Sequence, residues 1–389
     1  MTVRVSKPAF NVRDKLSELD KPVGLKGTEL MRSETIQDAR NLIGAGRKNL
    51  IVNGAMQVAQ RKPSGEYTGQ AAYATVDRMM GSYSVPNTDP ITECHVLTSG
   101  DVGPWAEGFR KSYRMKIGYQ GTASAGHFYQ FQYRIEGHDM VTSGWDYTSS
   151  TSYITLSFWI KSSVSYNPSW YFRAKDGTAK IYRWQPGMLV ANTWTKVTKT
   201  IPGDSGLTID NDNGEGFQIN LSPYWGTTYS SSNPTMDSWE NWDSASRTKD
   251  TDPIWFETNG TTTEITGLQL EVGSSATKFE HLPYAEDLRR CQRYYEGIKM
   301  GTGTALFRTW TNTAGSPSNV SNAEYNFKVE KRATPTWTVE GNASWYPSGT
   351  SGMSAYPSTS MCLFQRNDTN HQFFSDANGD LCGSFSCEL

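Results

Sequence analysis

No run of Lys or Arg occurs in this sequence, and its 37 basic side chains face 39 acidic ones, for a formal net charge of −2. Nucleic-acid binding needs a concentrated basic footprint, so that class is excluded as a main function. Long apolar stretches are also missing. No window approaches ~18 apolar residues, and the opening MTVRVSKPAFNVRDK has no apolar h-region, which argues against a spanning helix and a signal peptide. Cysteine is scarce: Cys94, Cys291, Cys362, Cys382 and Cys387 form no C-x-x-C pair and no zinc spacing with histidine. An odd count argues against a complete disulfide framework. Reduced, buried thiols are expected, with one bridge among Cys362, Cys382 and Cys387 as the alternative. His95, His127, His138, His281 and His371 contain no HExxH, and no G-x-S-x-G or P-loop stretch appears. These absences leave no cofactor, no metal site and no catalytic residue to expect.

What is present is the material of sheets. Hydrophobic residues make up only 36% of the chain, while 35 Gly and many Ser and Thr supply turns and polar strands. Tyr153–Lys161 alternates, with Ile154, Leu156, Phe158 and Ile160 on one face. Tyr129–Ile135, Lys180–Trp184, Thr193–Ile201, Phe217–Leu221 and Ile265–Val272 read as further strands. In the last of these Thr266, Leu268, Leu270 and Val272 share a face, opposite Gln269 and Glu271. Many strands divided by Gly, Asn, Asp and Ser clusters predict a mainly β chain, an antiparallel β-sandwich or jelly roll with a smaller C-terminal β domain. Pro283 opens a short helix with Glu286 and Asp287 in its first turn and Arg289, Arg290 and Arg293 toward its end, an order that suits the helix dipole.

The organisation expected is a charged, aromatic-poor segment over 1–48, a β body over 49–285, and a linker helix with a β tip over 286–389. Val12–Leu19 and Glu34–Ile43 are helix candidates, the second capped by Ser33, and both are too short to be stable alone. In the tip Ala323–Lys331 alternates, and His371–Phe374 and Leu381–Phe385 are expected to pair through Asn378-Gly379. That turn explains Asp376, Asn378 and Asp380 better than a calcium loop does, because Leu381 stands where the sharp bend wants Gly.

Pro223–Trp255 is long for a connection between strands and holds Tyr224, Trp225, Tyr229, Trp239, Trp242 and Trp255. A saccharide needs a flat apolar face for its C–H groups and polar side chains for its hydroxyls. The candidate contacts are Trp225, Trp239 and Trp242 in this stretch and Trp345, Tyr346 and Tyr356 in the tip loops. The same aromatics serve equally to pin the stretch to the sandwich. Glu240 and Asp243 are the carboxylates a glycan-cleaving enzyme would use here, although no repeats of an elongated β-helix accompany them.

Three motifs carry a resemblance. The stretch from Ile265 to Glu296, ITGLQLEVGSSATKFEHLPYAEDLRRCQRYYE, looks like a module of fibre and receptor-binding proteins of tailed bacteriophages: "LEVG", then "AT.FE..PY.E.L..CQRYY". Asn49–Arg61, NLIVNGAMQVAQR, resembles the opening of that module's sandwich, and Val76-Asp77-Arg78 resembles the "VDR" that follows. Ala333-Thr334-Pro335-Thr336-Trp337 is similar to the family's "R..PT" segment. The resemblance implies a non-enzymatic homotrimer of the virion tail. Residues 1–48 would dock to tail, baseplate or adaptor (nozzle) proteins, and the β domains would meet host cell-surface polysaccharide, without nucleic acid and without membrane insertion. A purely structural fibre or connector of head, collar or baseplate is the alternative, and a glycan depolymerase is a third reading.

Overall fold

The computed structural model describes residues 29, 30, 32 and 39, and then 49–68, 73–84, 90–118, 121–299, 304–308, 321–339, 344–346, 354–366, 372–375 and 381–389. The chain divides at Lys48/Asn49 into two units. The helix candidates before that point lie outside the described residues, apart from Ala39, which is helical.

From Asn49 onward the strands are β1 (Glu66–Thr68), β2 (Met80–Ser84), β3 (Pro90–Val96), β4 (Lys111–Ile117) and β5 (Phe128–Glu136). After helix α1 (Gly137–Val141) come β6 (Tyr153–Ser162), β7 (Ser169–Ala174), β8 (Lys180–Trp184), β9 (Thr195–Pro202) and β10 (Glu215–Trp225). The short strands β11 (Ser230–Ser231), β12 (Trp239–Asn241) and β13 (Thr248–Lys249) lead to α2 (Ile254–Glu257) and the long β14 (Thr262–Val272). Two six-stranded antiparallel sheets result: β1-β3-β4-β14-β6-β9 and β12-β8-β7-β10-β5-β2. The chain is thus mainly β, an antiparallel sandwich of the jelly-roll kind. Its core is aromatic. Phe158 of the first sheet lies 4.4 Å from Trp170 of the second, and Tyr113 of the first lies 5.4 Å from Phe131 of the second. Such rings each bury ~150–250 Å² and dominate core energetics.

Two expectations need correction. In β14 the pairing with β6 slips between Thr266 and Gln269, where Gly267 takes φ +64°. This bulge puts Ile265 and Leu268 both in the core and turns Thr266 away, its hydroxyl donating to the Lys111 carbonyl. A Cβ on Gly267 would stand 2.6 Å from the Phe109 ring, so strict alternation cannot hold there. Pro223–Trp255 is likewise not one loop, since it contains the end of β10, β11 to β13 and the start of α2.

After β14, α3 (Tyr284–Gln292) follows Pro283 and buries Cys291 against Val52 and Val58. Then come β15 (Tyr295–Lys299), β16 (Thr304–Arg308), β17 (Ser321–Asn326), β18 (Thr336–Val339), β19 (Ser344–Tyr346), β20 (Ser354–Pro357), β21 (Met361–Arg366), β22 (Gln372–Ser375) and β23 (Leu381–Ser386). They form three small sheets, β15-β23-β18, β16-β22-β19 and β17-β21-β20. The expected β22–β23 hairpin is therefore wrong. β15 and β18 occupy the two edges of β23, and β16 and β19 occupy those of β22. Asp376, Asn378 and Asp380 lie outside the described residues. Cys94, Cys291, Cys362 and Cys387 are free, buried thiols, and the Cys382 side chain lies outside the described residues.

The motif segments that carry the resemblance meet in one joint between sandwich and tip. The Asn53 amide donates to Asp287, Asp77 accepts from both the backbone and the side chain of Gln60, and Gln60 also donates to the Tyr295 carbonyl. Arg61 stacks on Tyr295 at 3.5 Å, and Arg78 stacks on Tyr294 at 3.6 Å. Arg332, beside the "PT" segment, donates to the Cys387 carbonyl. Among the described non-glycine residues five have positive φ, and three of them (Asn53, Met56 and Arg78) sit in these motifs. Strained backbone persists only where its surroundings over-determine it.

One edge of the joint carries a pH dependence. Glu136, fully buried, takes two bonds from Arg293 at 2.9 and 2.8 Å. Burial works against its charge, but the Arg293 bonds prevail and hold the carboxyl below the usual glutamate range. The stability this pair contributes is whole above the unfolded glutamate value of ~4.3 and drains as pH falls through the lower folded value. The urea midpoint of the native protein should therefore fall more steeply between pH ~5 and ~3 than that of Glu136→Gln, which has already lost the pair.

Candidate functional site

The outer face of the second sheet does not resemble an ordinary solvated surface. Alternation sends Tyr129, Phe131, Tyr133 and Ile135 of β5 and Phe217, Ile219 and Leu221 of β10 into the core. Their neighbours Gln130, Gln132, Arg134, Gln218, Asn220 and Ser222 therefore line the opposite face. Register arranges these groups in rows. Ile181, Arg173, Gln218 and Arg134 stand side by side on β8, β7, β10 and β5. One step along, Arg183, Tyr171, Asn220, Gln132 and Met80 make a second row that reaches β2. At ~4.8 Å per strand, this row spans about 19 Å.

These polar groups are buried and incompletely paired. Asn220 is 0% exposed, with neither its amide oxygen nor its amide nitrogen bonded within the protein, and the Gln218 Oε1 is unpaired as well. The Tyr171 phenol, kept protonated by burial, donates to Gln130 Oε1 at 3.3 Å. Leaving a buried amide unsatisfied costs about 1–3 kcal/mol, and Asn is in any case a poor strand former. Asn220→Leu is therefore expected to melt no lower than the native protein, and up to about 1–3 kcal/mol higher in stability. A structural amide would give the opposite sign in the same melting measurement.

Aromatic rings flank the rows at one end. After β12 the Trp242 amide bonds to the Ala179 carbonyl, and its half-buried ring lies 5.8 Å from Tyr171 and 4.0 Å from the Arg173 guanidinium. Trp225 stacks on Phe128 at 4.4 Å, and Arg247 bridges Trp225 at 4.8 Å to Trp242 at 5.6 Å. Arg183 is neutralised by Glu240 at 2.7 Å, and Arg134 lies 3.3 Å from Glu215. Arg173 and Arg247 have no carboxylate within ion-pair distance among the described residues, and the Nε of Arg173 is buried and unbonded. Burial lowers the pKa of Arg173, opposed by Glu215 and Tyr171. At its half-buried end the arrangement offers an aromatic ring and uncompensated guanidinium groups beside a row of buried amides, features that suit a polar ligand.

Of the six aromatics singled out in the sequence, the structure brings Trp225 and Trp242 to this one face. Trp225 is buried beneath Arg247 and Phe128 and supports the site rather than offering a free ring. Trp239 belongs to the core, edge-on to Tyr182, with its indole N–H on the Pro202 carbonyl of the facing sheet. It pins β12 to the sandwich. Tyr356 is exposed on β20. Trp345 and Tyr346 fall on β19, and their side chains lie outside the described residues. Glu240 is held by Arg183, and Asp243 accepts from the Ala245 amide. Sequence reasoning missed Gln130, Gln132, Tyr171, Arg173, Gln218 and Asn220. The signal was available in YQFQYRIE and FQINLS, where a strand's polar face is built of amides instead of Lys and Thr.

No protein-family model and no curated protein matches the chain. Solved structures do. A module described as CBM4 is 13% identical with a TM-score of 0.27, covering 57% of this chain and 98% of its own. A family 11 carbohydrate-binding module from Clostridium thermocellum, in complex with a β-1,3-1,4-mixed-linked tetrasaccharide, is 12% identical with a TM-score of 0.26, covering 57% of this chain and 100% of its own. The CBM22-1 xylan-binding domain from Paenibacillus barcinonensis is 10% identical with a TM-score of 0.24, covering 55% and 99%. The sandwich follows from its own strand pairings, and these likenesses span little more than half of the chain.

Proposed function

We propose that the chain is a non-enzymatic fibre subunit of a tailed-phage virion that binds host cell-surface polysaccharide on the outer face of its second sheet. The observation that carries this reading is the half-buried Arg173–Trp242–Arg247 cluster at the end of a row of buried amides and arginines. Those amides are closed to solvent, but they border the half-buried Arg173, Trp242 and Arg247, which a ligand rich in hydroxyls can reach. The virion assignment, the tail location, the homotrimer and the docking role of residues 1–48 rest on the motif resemblance. In a trimer three shallow sites act together through effective concentration, so weak single sites suffice for adhesion. Purified chain should sediment as a trimer, compete with particles for adsorption to a susceptible host, and release no reducing ends from its polysaccharide. A monomer that fails to compete would end this reading.

A second reading is favoured by the joint. Asn49–Arg61, Val76–Arg78 and the stretch Asp287–Tyr295 are engaged there in holding sandwich to tip, which suits a structural fibre or connector of head, collar or baseplate. Immunogold labelling of intact particles separates the two, by placing the chain at the adsorbing end or away from it.

A further inference from the structure

The amides account for a neutral saccharide, but the arginines do not. On this face Arg134, Arg173, Arg183 and Arg247 stand against Glu215 and Glu240, four cations less two anions, a patch of net +2 on a chain of net −2. The surplus is localised, because Glu215 and Glu240 are spent on Arg134 and Arg183. Arg173 and Arg247 remain, both directed at the ring of Trp242. Stacking fixes the plane of a guanidinium and leaves its N–H edge free to grip a carboxylate with two parallel bonds. Gln218, the cross-strand neighbour of Arg173, is buried, so the contact falls on the half-buried guanidinium groups.

We propose that the Arg173–Trp242–Arg247 end of the face receives the carboxylate of an acidic sugar, so that the ligand is a uronate-containing polysaccharide. The inference rests on the glycan reading above and narrows it to one chemical class. Arg173 and Arg247, both resting on the Trp242 ring, hold the carboxylate, and the rest of the sugar lies along the half-buried edge of that cluster.

The test is calorimetric titration of the full chain with oligoglucuronate, oligogalacturonate and oligomannuronate. Each is compared with the same oligomer after its carboxyls are reduced to alcohols, and with a sulfated neutral oligomer. At least one uronate should bind, and its carboxyl-reduced form should bind about ten- to a hundredfold more weakly, the range for a hydrogen bond to a charged group. Arg173→Gln should lose the same factor for the uronate, bind the uronate and its carboxyl-reduced form about equally, and melt as the native protein does. Arg247→Gln gives an independent second variant. Equal binding of reduced and unreduced forms, or preference for the sulfated oligomer, overturns the inference and leaves the glycan reading standing. If no saccharide of any kind binds, both fall.

Discussion

Arg78→Ala is expected to destabilise the protein by about 3–5 kcal/mol, the cost of removing one partner from a buried ion pair. Arg78 is 1% exposed, its guanidinium bonded to the Glu388 carboxylate and to the Arg134 carbonyl at 2.7 Å while stacked between Tyr294 and Tyr133. Truncation strips Glu388 of its nearest cation, leaving Arg61 at 3.3 Å as its ion-pair partner among the described residues, and opens a void beside two phenol rings. Because Glu388 and Tyr294 belong to the tip side of the joint and Arg78 to the sandwich side, the loss should appear first as tip undocking. Hydrogen exchange should therefore rise at Tyr294–Ile298 before it rises in β6. Arg78→Lys should recover little, since a single ammonium cannot stack and bridge at once. A loss below about 1 kcal/mol in urea unfolding would show that the joint does not depend on this residue.

Lys331→Ala should cost a similar amount within the tip. Its ammonium lies 2.6 Å from Glu296, and both side chains are 0% exposed. Glu296 also accepts from the Tyr325 hydroxyl at 2.7 Å. Without Lys331 a buried carboxylate keeps two neutral donors, the Tyr325 hydroxyl and the Lys328 amide at 3.4 Å, and a distant Lys328 ammonium at 3.8 Å. About 3–5 kcal/mol is the expected penalty, and replacing both partners by Met should return most of it. If the double variant is no better than the single one, the pair does more than neutralise itself.

Much of this architecture was legible in the sequence. Lys180–Trp184 is a strand with the bounds expected of it, and β5 and β6 extend their expected spans by a residue or so, because a sandwich needs one apolar face per strand. Less legible were features set by long-range packing. The bulge at Gly267 answers to Phe109, more than 150 residues away in sequence. The expected pairing of β22 with β23 rested on a local turn signal, and the two strands pair instead with four other strands. The site followed the same division. Trp242 stands out on an irregular stretch, whereas Gln218 and Asn220 read singly as solvated strand positions. Only the register, which sets Asn220 between Tyr171 and Gln132, makes a buried polar row of them.

The side-chain amide resonances of Gln130, Gln132, Gln218 and Asn220 offer the most direct measurement, followed by NMR while polysaccharide from a susceptible host is titrated in. Binding on this face should shift all four together and saturably, with the Trp242 indole moving alongside them. Saturable binding that leaves these amides still, or moves only rings of the tip, would contradict the account.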